Sequence, residues 1–199
     1  MAVGVNFRNS GGKLRGTHPF PAGLNDCFTA AKWLHACRAQ LHLDKIVLMG
    51  EGGGANLCLA VALRAIQEGR RELIDGVYAH CPYIYGKWKQ DPAASAQLFP
   101  SLVENAGYVF DALAGVPIER LYCNDAEAPL AWPMSATEKD LAGMPPVTVQ
   151  VNELDSLRDE GAAFCARLMN AGAAAELRTV AGQVISAAYV YGIRTVTAN

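Results

Sequence analysis

A glycine-rich turn contains the residues whose types and spacing could do chemistry. The segment Gly50–Gly54 places four glycines around one carboxylate, Glu51, between a short apolar run and a helical stretch. A strand, a tight turn and a helix N-terminus in this order direct backbone amides at a negative charge. Glycine has no side chain that can attack a carbonyl carbon. The turn therefore predicts stabilisation of an anion without a covalent nucleophile at Gly52.

The same turn also fits a dinucleotide-binding fingerprint. Residues Gly50–Ala55 match G-x-G-x-x-A, after a strand candidate and before a helix. That alternative requires an acidic residue at the end of the following strand to hold the ribose. The following strand candidate, residues 76–81, ends in His-Cys-Pro. A nicotinamide cofactor is therefore disfavoured.

Other side chains that could take part in catalysis lie further along the chain. Asp155 follows a strand candidate, and its side chain is predicted to cap the next helix unless a histidine lies beside it. His80 and Cys81 could form a thiol–imidazole pair, but adjacent strand residues point to opposite faces. Ordinary core roles are therefore expected for both. All four histidines precede Asp155 in the chain.

The six cysteines are scattered without any C-x-x-C pair. Most lie in apolar patterns such as ANLCLAVAL and GAAFCARLM, which are typical of buried free thiols. Metal binding needs clustered ligands, and the sequence shows no such cluster. No metal and no cofactor are predicted.

Composition excludes several kinds of partner. The formal net charge is −2 and lysine and arginine are not clustered, so nucleic acid is an unexpected partner. No apolar run approaches the roughly 20 residues that span a bilayer, and the N-terminus lacks a signal-peptide pattern. A soluble cytoplasmic protein is the expectation.

The periodicity predicts an α/β fold with a mostly parallel sheet flanked by helices. Strands are predicted at the start of the chain, AVGVNF, and at four later places: residues 46–49, 76–81, 147–151 and 176–180. Helices are predicted from Asn25 or Asp26 to about Leu43, over residues 57–69, and over residues 159–171. The segment from about residue 83 to 135 is the least regular part.

Several motifs in a fixed order resemble the hormone-sensitive-lipase-like esterases of the α/β-hydrolase fold, and within them the brefeldin A esterase type. KIVLMGEGGGANL is similar to that family's G-E-S-G-G-x-N-L elbow, and THPFPAGLNDC to its H-P-F-P-x-G-x-x-D-C segment. Further matches are VNFRNS, IDGVYAHCPYI, PSLVENAGY, PLAWP and VNELDSLRDEG. The resemblance implies carboxylic ester hydrolysis through a Ser-His-Asp triad without a cofactor.

Carried over residue by residue, the resemblance implies an incomplete triad. Gly52 stands in the serine position, Asp155 in the acid position and Gly53 at the oxyanion-hole amide. The family's histidine position falls at about Ile185. The family already carries a glutamate at Glu51, so that residue is not expected to replace the nucleophile. An impaired or inactive hydrolase is the expectation.

The expected organisation is the C-terminal portion of a hydrolase domain over residues 1–181, with a divergent tail over residues 182–199. The early strands and the H-G-G-G loop are expected to be missing, and a shortened or misjoined gene product is one hypothesis. The alternative function is a non-catalytic protein that binds a small hydrophobic or ester-like ligand. A second copy of the chain could cover the exposed sheet edge.

Overall fold

Four parallel strands form one sheet in the computed structural model, which describes residues 1–11, 17–88, 91–109 and 116–185. The strands are β1 (Val47–Glu51), β2 (Gly76–His80), β3 (Val147–Asn152) and β4 (Ala175–Val180), in the spatial order β1-β2-β3-β4. The register places Glu51 beside His80 and His80 beside Gln150. The carboxyl ends of β1, β2 and β3 therefore lie at one edge of the sheet.

Helices connect and cover these strands. They are α1 (Ala22–Ala36), α2 (Gly53–Gln67), α3 (Pro92–Leu98), α4 (Ser101–Glu104), α5 (Val116–Tyr122), α6 (Glu138–Leu141) and α7 (Arg158–Asn170). Short 3-10 turns lie at Arg71–Leu73 and Pro133–Ser135. Helix α2 packs on β1 and β2, α7 packs on β3 and β4, and α1 packs on α2. This strand and helix alternation confirms the predicted α/β class.

Burial of apolar side chains in the core explains why the apolar segments of the sequence form strands and the buried faces of helices. Val147, Val149 and Val151 alternate along β3 and are all buried, as expected for a strand packed against helices. Phe164 of α7 and Leu59 of α2 are fully buried. Each such side chain contributes about 1.5–3 kcal/mol when removed from water.

Helix α1 differs at both ends from its predicted span. It begins at Ala22, directly after Pro21, and ends at Ala36 instead of near Leu43. Asn25 and Asp26 do not cap it, because both lie inside the helix, where their side chains make tertiary contacts. The Asp26 carboxylate accepts hydrogen bonds from the Arg8 guanidinium at 2.8 and 2.9 Å, and Asn25 Oδ1 accepts one from Arg64.

The prediction of a strand at AVGVNF is wrong, since residues 2–7 form no strand and are largely exposed. A strand requires a hydrogen-bonded neighbour, and in the sheet of the described residues β1 pairs only with β2. Strand β1 accordingly lies at a sheet edge and exposes Val47 and Met49. Among the helices of the described ranges, none has the length and apolarity needed to cross a bilayer.

Candidate functional site

The turn between β1 and α2 has the backbone of a sharp elbow. Gly52 adopts φ 56° and ψ −117°, a backbone conformation that residues other than glycine rarely adopt. A Cβ atom added at Gly50 would lie 2.4 Å from the carbonyl carbon of Gly54, so this position requires glycine. A Cβ atom at Gly52 would meet nothing within 4 Å. The elbow therefore has open space where a side chain at position 52 would project.

Hydrogen bonds fix this elbow to the neighbouring strand. The Gly52 amide donates to the His80 carbonyl oxygen at 3.0 Å. The Gly52 carbonyl accepts from the Asn56 amide at 3.1 Å and from the Tyr83 amide at 3.2 Å. Backbone pairing on both sides of the peptide thus holds the strained conformation in place.

A cavity of about 330 Å³ lies beside the elbow. Gly53, the first residue of α2, lines it together with Gly54 and Glu51. Much of the remaining wall is aromatic or polar: Phe7, Arg8, Asn9, Ser10, His18, Gly23, Asn56, Leu57, Tyr83, Tyr122 and Trp132. A concave cavity that combines aromatic side chains with polar groups at a helix N-terminus is typical of a small-molecule site.

Asp155 lies in the loop between β3 and α7 and is 1% exposed. Its Oδ1 atom accepts a hydrogen bond at 3.0 Å from the amide of Leu157, the residue that caps α7. Burial raises the pKa of Asp155, while the Leu157 amide, the Cys81 thiol and His80 oppose that rise. The carboxylate therefore contacts the residue that precedes α7, but the side chain that the sequence predicted as a helix cap is not the capping residue, since Leu157 occupies that position.

The position expected for a histidine is occupied by an apolar side chain. Ile185 packs against the cluster formed by Trp88, Leu102 and Leu157. The segment before Ile185 is hydrogen-bonded to the loop that contains Asp155, since the Leu154 amide donates to the Gln183 carbonyl oxygen at 2.8 Å. The fold therefore brings residue 185 near the acid loop, but with a side chain that cannot move a proton.

His80 and Cys81 do not point apart, which corrects the expectation drawn from strand alternation. One ligand-type atom from each of Glu51, His80 and Cys81 lies within 4.8 Å of the other two. Strand β2 ends at His80, and Cys81 has φ 43°, so the alternation stops between the two residues. Of the other histidines, His18 lines the cavity that Glu51 also lines, His35 lies on α1 and His42 follows α1.

Glu160 is a structural carboxylate that sequence reasoning missed. It is fully buried on α7 and accepts hydrogen bonds of 2.8 Å from the Ile84 amide and from the Trp88 indole. Burial raises the pKa of Glu160 to about 8. The segment RDEGAAF gave no signal for this role, because charged residues in the first turn of a helix are usually exposed.

Comparisons with known proteins agree with this architecture. A family model described as the alpha/beta hydrolase fold matches residues 13–188. The carboxylesterase NlhH of Mycobacterium tuberculosis is 29% identical over 185 residues, which cover 89% of this chain and 53% of that protein. Human hormone-sensitive lipase is 38% identical over 88 residues, which cover 43% of this chain and 8% of the lipase.

Solved esterase structures give the same result. Brefeldin A esterase, described as a bacterial homologue of human hormone-sensitive lipase, superposes with a TM-score of 0.89 at 43% identity over 94% of this chain and 52% of its own. Esterase Est22 superposes with a TM-score of 0.74 at 40% identity over 90% and 53%. The chain thus spans about half the length of these relatives. It belongs to the α/β-hydrolase family, among the hormone-sensitive-lipase-like esterases.

Proposed function

We propose that this chain is an esterase-type domain without serine-dependent ester hydrolysis, and that its cavity binds a small hydrophobic or ester-like ligand. The observation that carries the proposal is Gly52. This residue has the strained elbow backbone beside a cavity, yet it lacks the hydroxyl that would attack a carbonyl. In this proposal Gly52 occupies the nucleophile position, and Asp155 and Ile185 occupy those of the acid and the histidine.

The nearby thiol does not supply a substitute nucleophile. Cys81 is fully buried, and burial raises the pKa of its thiol, with Asp155 and Glu51 adding to the rise. A thiol in this state stays protonated at neutral pH and reacts slowly, because the thiolate is the attacking form. This supports a loss of acyl-enzyme chemistry rather than a change of nucleophile.

The cavity supports retained binding. Three aromatic rings pack edge to face at its wall: Tyr83 lies 5.7 Å and Tyr122 lies 5.3 Å from Trp132, centroid to centroid. Such rings offer apolar contact to an acyl chain or an aromatic group. The Gly53 amide lies at the N-terminus of α2, the positive end of the helix dipole, which favours a carbonyl oxygen. Several relatives are named carboxylesterase or esterase, which fits an ester-like ligand.

Hydrolysis of p-nitrophenyl butyrate tests the loss of chemistry. Wild type is compared with Gly52→Ser and with the double variant Gly52→Ser, Ile185→His. We expect wild type to match the buffer rate and the double variant to exceed it, because one general base typically contributes about 10²–10⁴-fold. If wild type does turn over the ester, and the purified Cys81→Ser variant does so equally, a group other than Cys81 acts as the nucleophile.

Calorimetric titration with the same ester tests the binding half. Gly53→Leu is the blocking variant, because a Cβ atom at Gly53 meets nothing within 4 Å and the residue lines the cavity. Gly4→Leu is the matched control, since Gly4 also has open space but does not line the cavity. We expect Gly53→Leu to weaken binding at least tenfold and Gly4→Leu to leave it unchanged. Equal affinities in both variants would place the ligand elsewhere or nowhere.

A further inference from the structure

Three side chains that commonly bind metals meet at the carboxyl ends of β1 and β2. Glu51 is the last residue of β1, His80 is the last residue of β2, and the register pairs them directly. Cys81 follows at once, and the candidate ligand atoms of all three lie within 4.8 Å of one another. A carboxylate oxygen, an imidazole nitrogen and a sulfur thus share one small volume.

The backbone at Cys81 creates this meeting. Its φ of 43° lies in the left-handed region, which costs a residue with a Cβ atom of order 1–3 kcal/mol. Regular strand geometry would send Cys81 to the face opposite His80. With this turn, the fully buried Cys81 side chain lies on the same side as the half-buried His80 and Glu51.

Acidic and sulfur-containing side chains lie around the His80 imidazole. His80 Nδ1 lies 3.7 Å from Glu51 Oε1, and the buried His80 Nε2 has no hydrogen-bond partner among the described residues. The Asp155 carboxylate adjoins the group and lies next to the Cys81 thiol, with which it shares a hydrogen bond. Two carboxylates and a thiol therefore surround one imidazole, an arrangement that a cation would stabilise.

We propose that Glu51, His80 and Cys81 bind a divalent cation of the zinc type. Nitrogen, sulfur and carboxylate ligands suit Zn²⁺, and three protein ligands leave the fourth tetrahedral position for water or for the neighbouring Asp155. On binding, Cys81 releases its thiol proton to solvent and coordinates as the thiolate. The site shares Glu51 with the wall of the proposed ligand cavity, but cation binding does not depend on whether an ester-like molecule occupies that cavity.

Titration of the chelator-treated protein with Co²⁺ tests the site, because a cobalt–thiolate bond gives a ligand-to-metal charge-transfer band in the near ultraviolet. We expect wild type to show this band at a 1:1 ratio and Zn²⁺ to displace it. The band should vanish in Cys81→Ser and persist in Cys165→Ser, which removes another buried free cysteine, on α7. His80→Gln should weaken Co²⁺ binding by at least about tenfold.

Several outcomes would overturn the proposal. Wild type without the band, or a band of equal strength in Cys81→Ser, would exclude thiolate coordination by Cys81. Far-ultraviolet circular dichroism shows whether each variant is folded. If Cys81→Ser does not fold, Glu51→Gln and His80→Gln decide the matter: Co²⁺ affinities within twofold of wild type in both would refute the site, and a tenfold loss in both would support it.

Discussion

The glycines of the elbow give a quantitative test of its geometry, because each one meets a different obstacle when a methyl group is added. In Gly50→Ala the new Cβ atom would lie 2.4 Å from the backbone of Gly54, and backbone cannot yield as a flexible side chain can. In Gly52→Ala the methyl group has open space, but φ stays at 56°. In Gly54→Ala it has open space and a helical backbone.

These obstacles predict an order of stability. Gly50→Ala should lower the free energy of unfolding by about 3 kcal/mol, the upper range for overpacking. Gly52→Ala should lower it by about 1–2 kcal/mol through backbone strain. Gly54→Ala should leave it unchanged or raise it by up to about 1 kcal/mol, since alanine favours helix. For a domain of this size, each kcal/mol corresponds to about 2–4 °C in Tm.

Thermal unfolding followed by far-ultraviolet circular dichroism measures the series, with urea unfolding as a second measure of the same differences. The expected drop for Gly50→Ala is then about 6–12 °C relative to wild type. Equal unfolding temperatures for Gly50→Ala and Gly54→Ala would refute this order of stability. That result would mean that Gly54 does not pack on Gly50, and the elbow would have another shape.

Two other buried polar groups yield predictions about stability. Glu160 has its pKa raised by burial to about 8 from an ordinary 4.5, so its contribution is complete below about pH 4.5 and is lost as the pH rises through 8. Wild type should therefore lose stability between pH 5 and pH 8, whereas Glu160→Gln should show a flatter pH profile in urea unfolding; an unchanged slope would contradict the assignment. Asn56 donates from Nδ2 to the carbonyl oxygens of Tyr83 and Ala131, so Asn56→Ala should cost about 1–3 kcal/mol by leaving buried acceptors unpaired. Asn25→Ala, which removes only an exposed contact to Arg64, is its control and should change stability by less than about 0.5 kcal/mol.

The sheet strands were predictable because their signal is local. Val147, Val149 and Val151 alternate with more polar residues, and a proline pair precedes them, so the start of β3 could be predicted to the residue. The elbow was also predictable, since a glycine-rich turn after an apolar run indicates a strand, a sharp turn and a helix. Helix α2 nevertheless begins at Gly53, earlier than predicted. Glycines disfavour helix interiors, and only the fold shows that the first turn of α2 includes two of them.

The predictions that the structure contradicts concern properties that depend on residues distant in the sequence. Whether residues 2–7 form a strand depends on a neighbour in the sheet, which the local pattern does not specify. Asn25 and Asp26 resemble capping residues, but Arg64 and Arg8 bind their side chains. The meeting of Glu51, His80 and Cys81 requires both the register of β1 with β2 and a left-handed residue at position 81. Neither can be obtained from the spacing of these residues in the chain.

Glycine at position 52 also changes what the rest of the domain must provide. A serine held at φ 56° and ψ −117° would strain the backbone by of order 1–3 kcal/mol, and the surrounding packing would have to offset that strain. Glycine adopts the same backbone without it. Under the proposed function, the same glycine that leaves the nucleophile position without a hydroxyl also relieves backbone strain in the elbow. Under that proposal, activity and stability favour different residues at position 52, and a Gly52→Ser variant that gains a nucleophile would do so in a less stable domain.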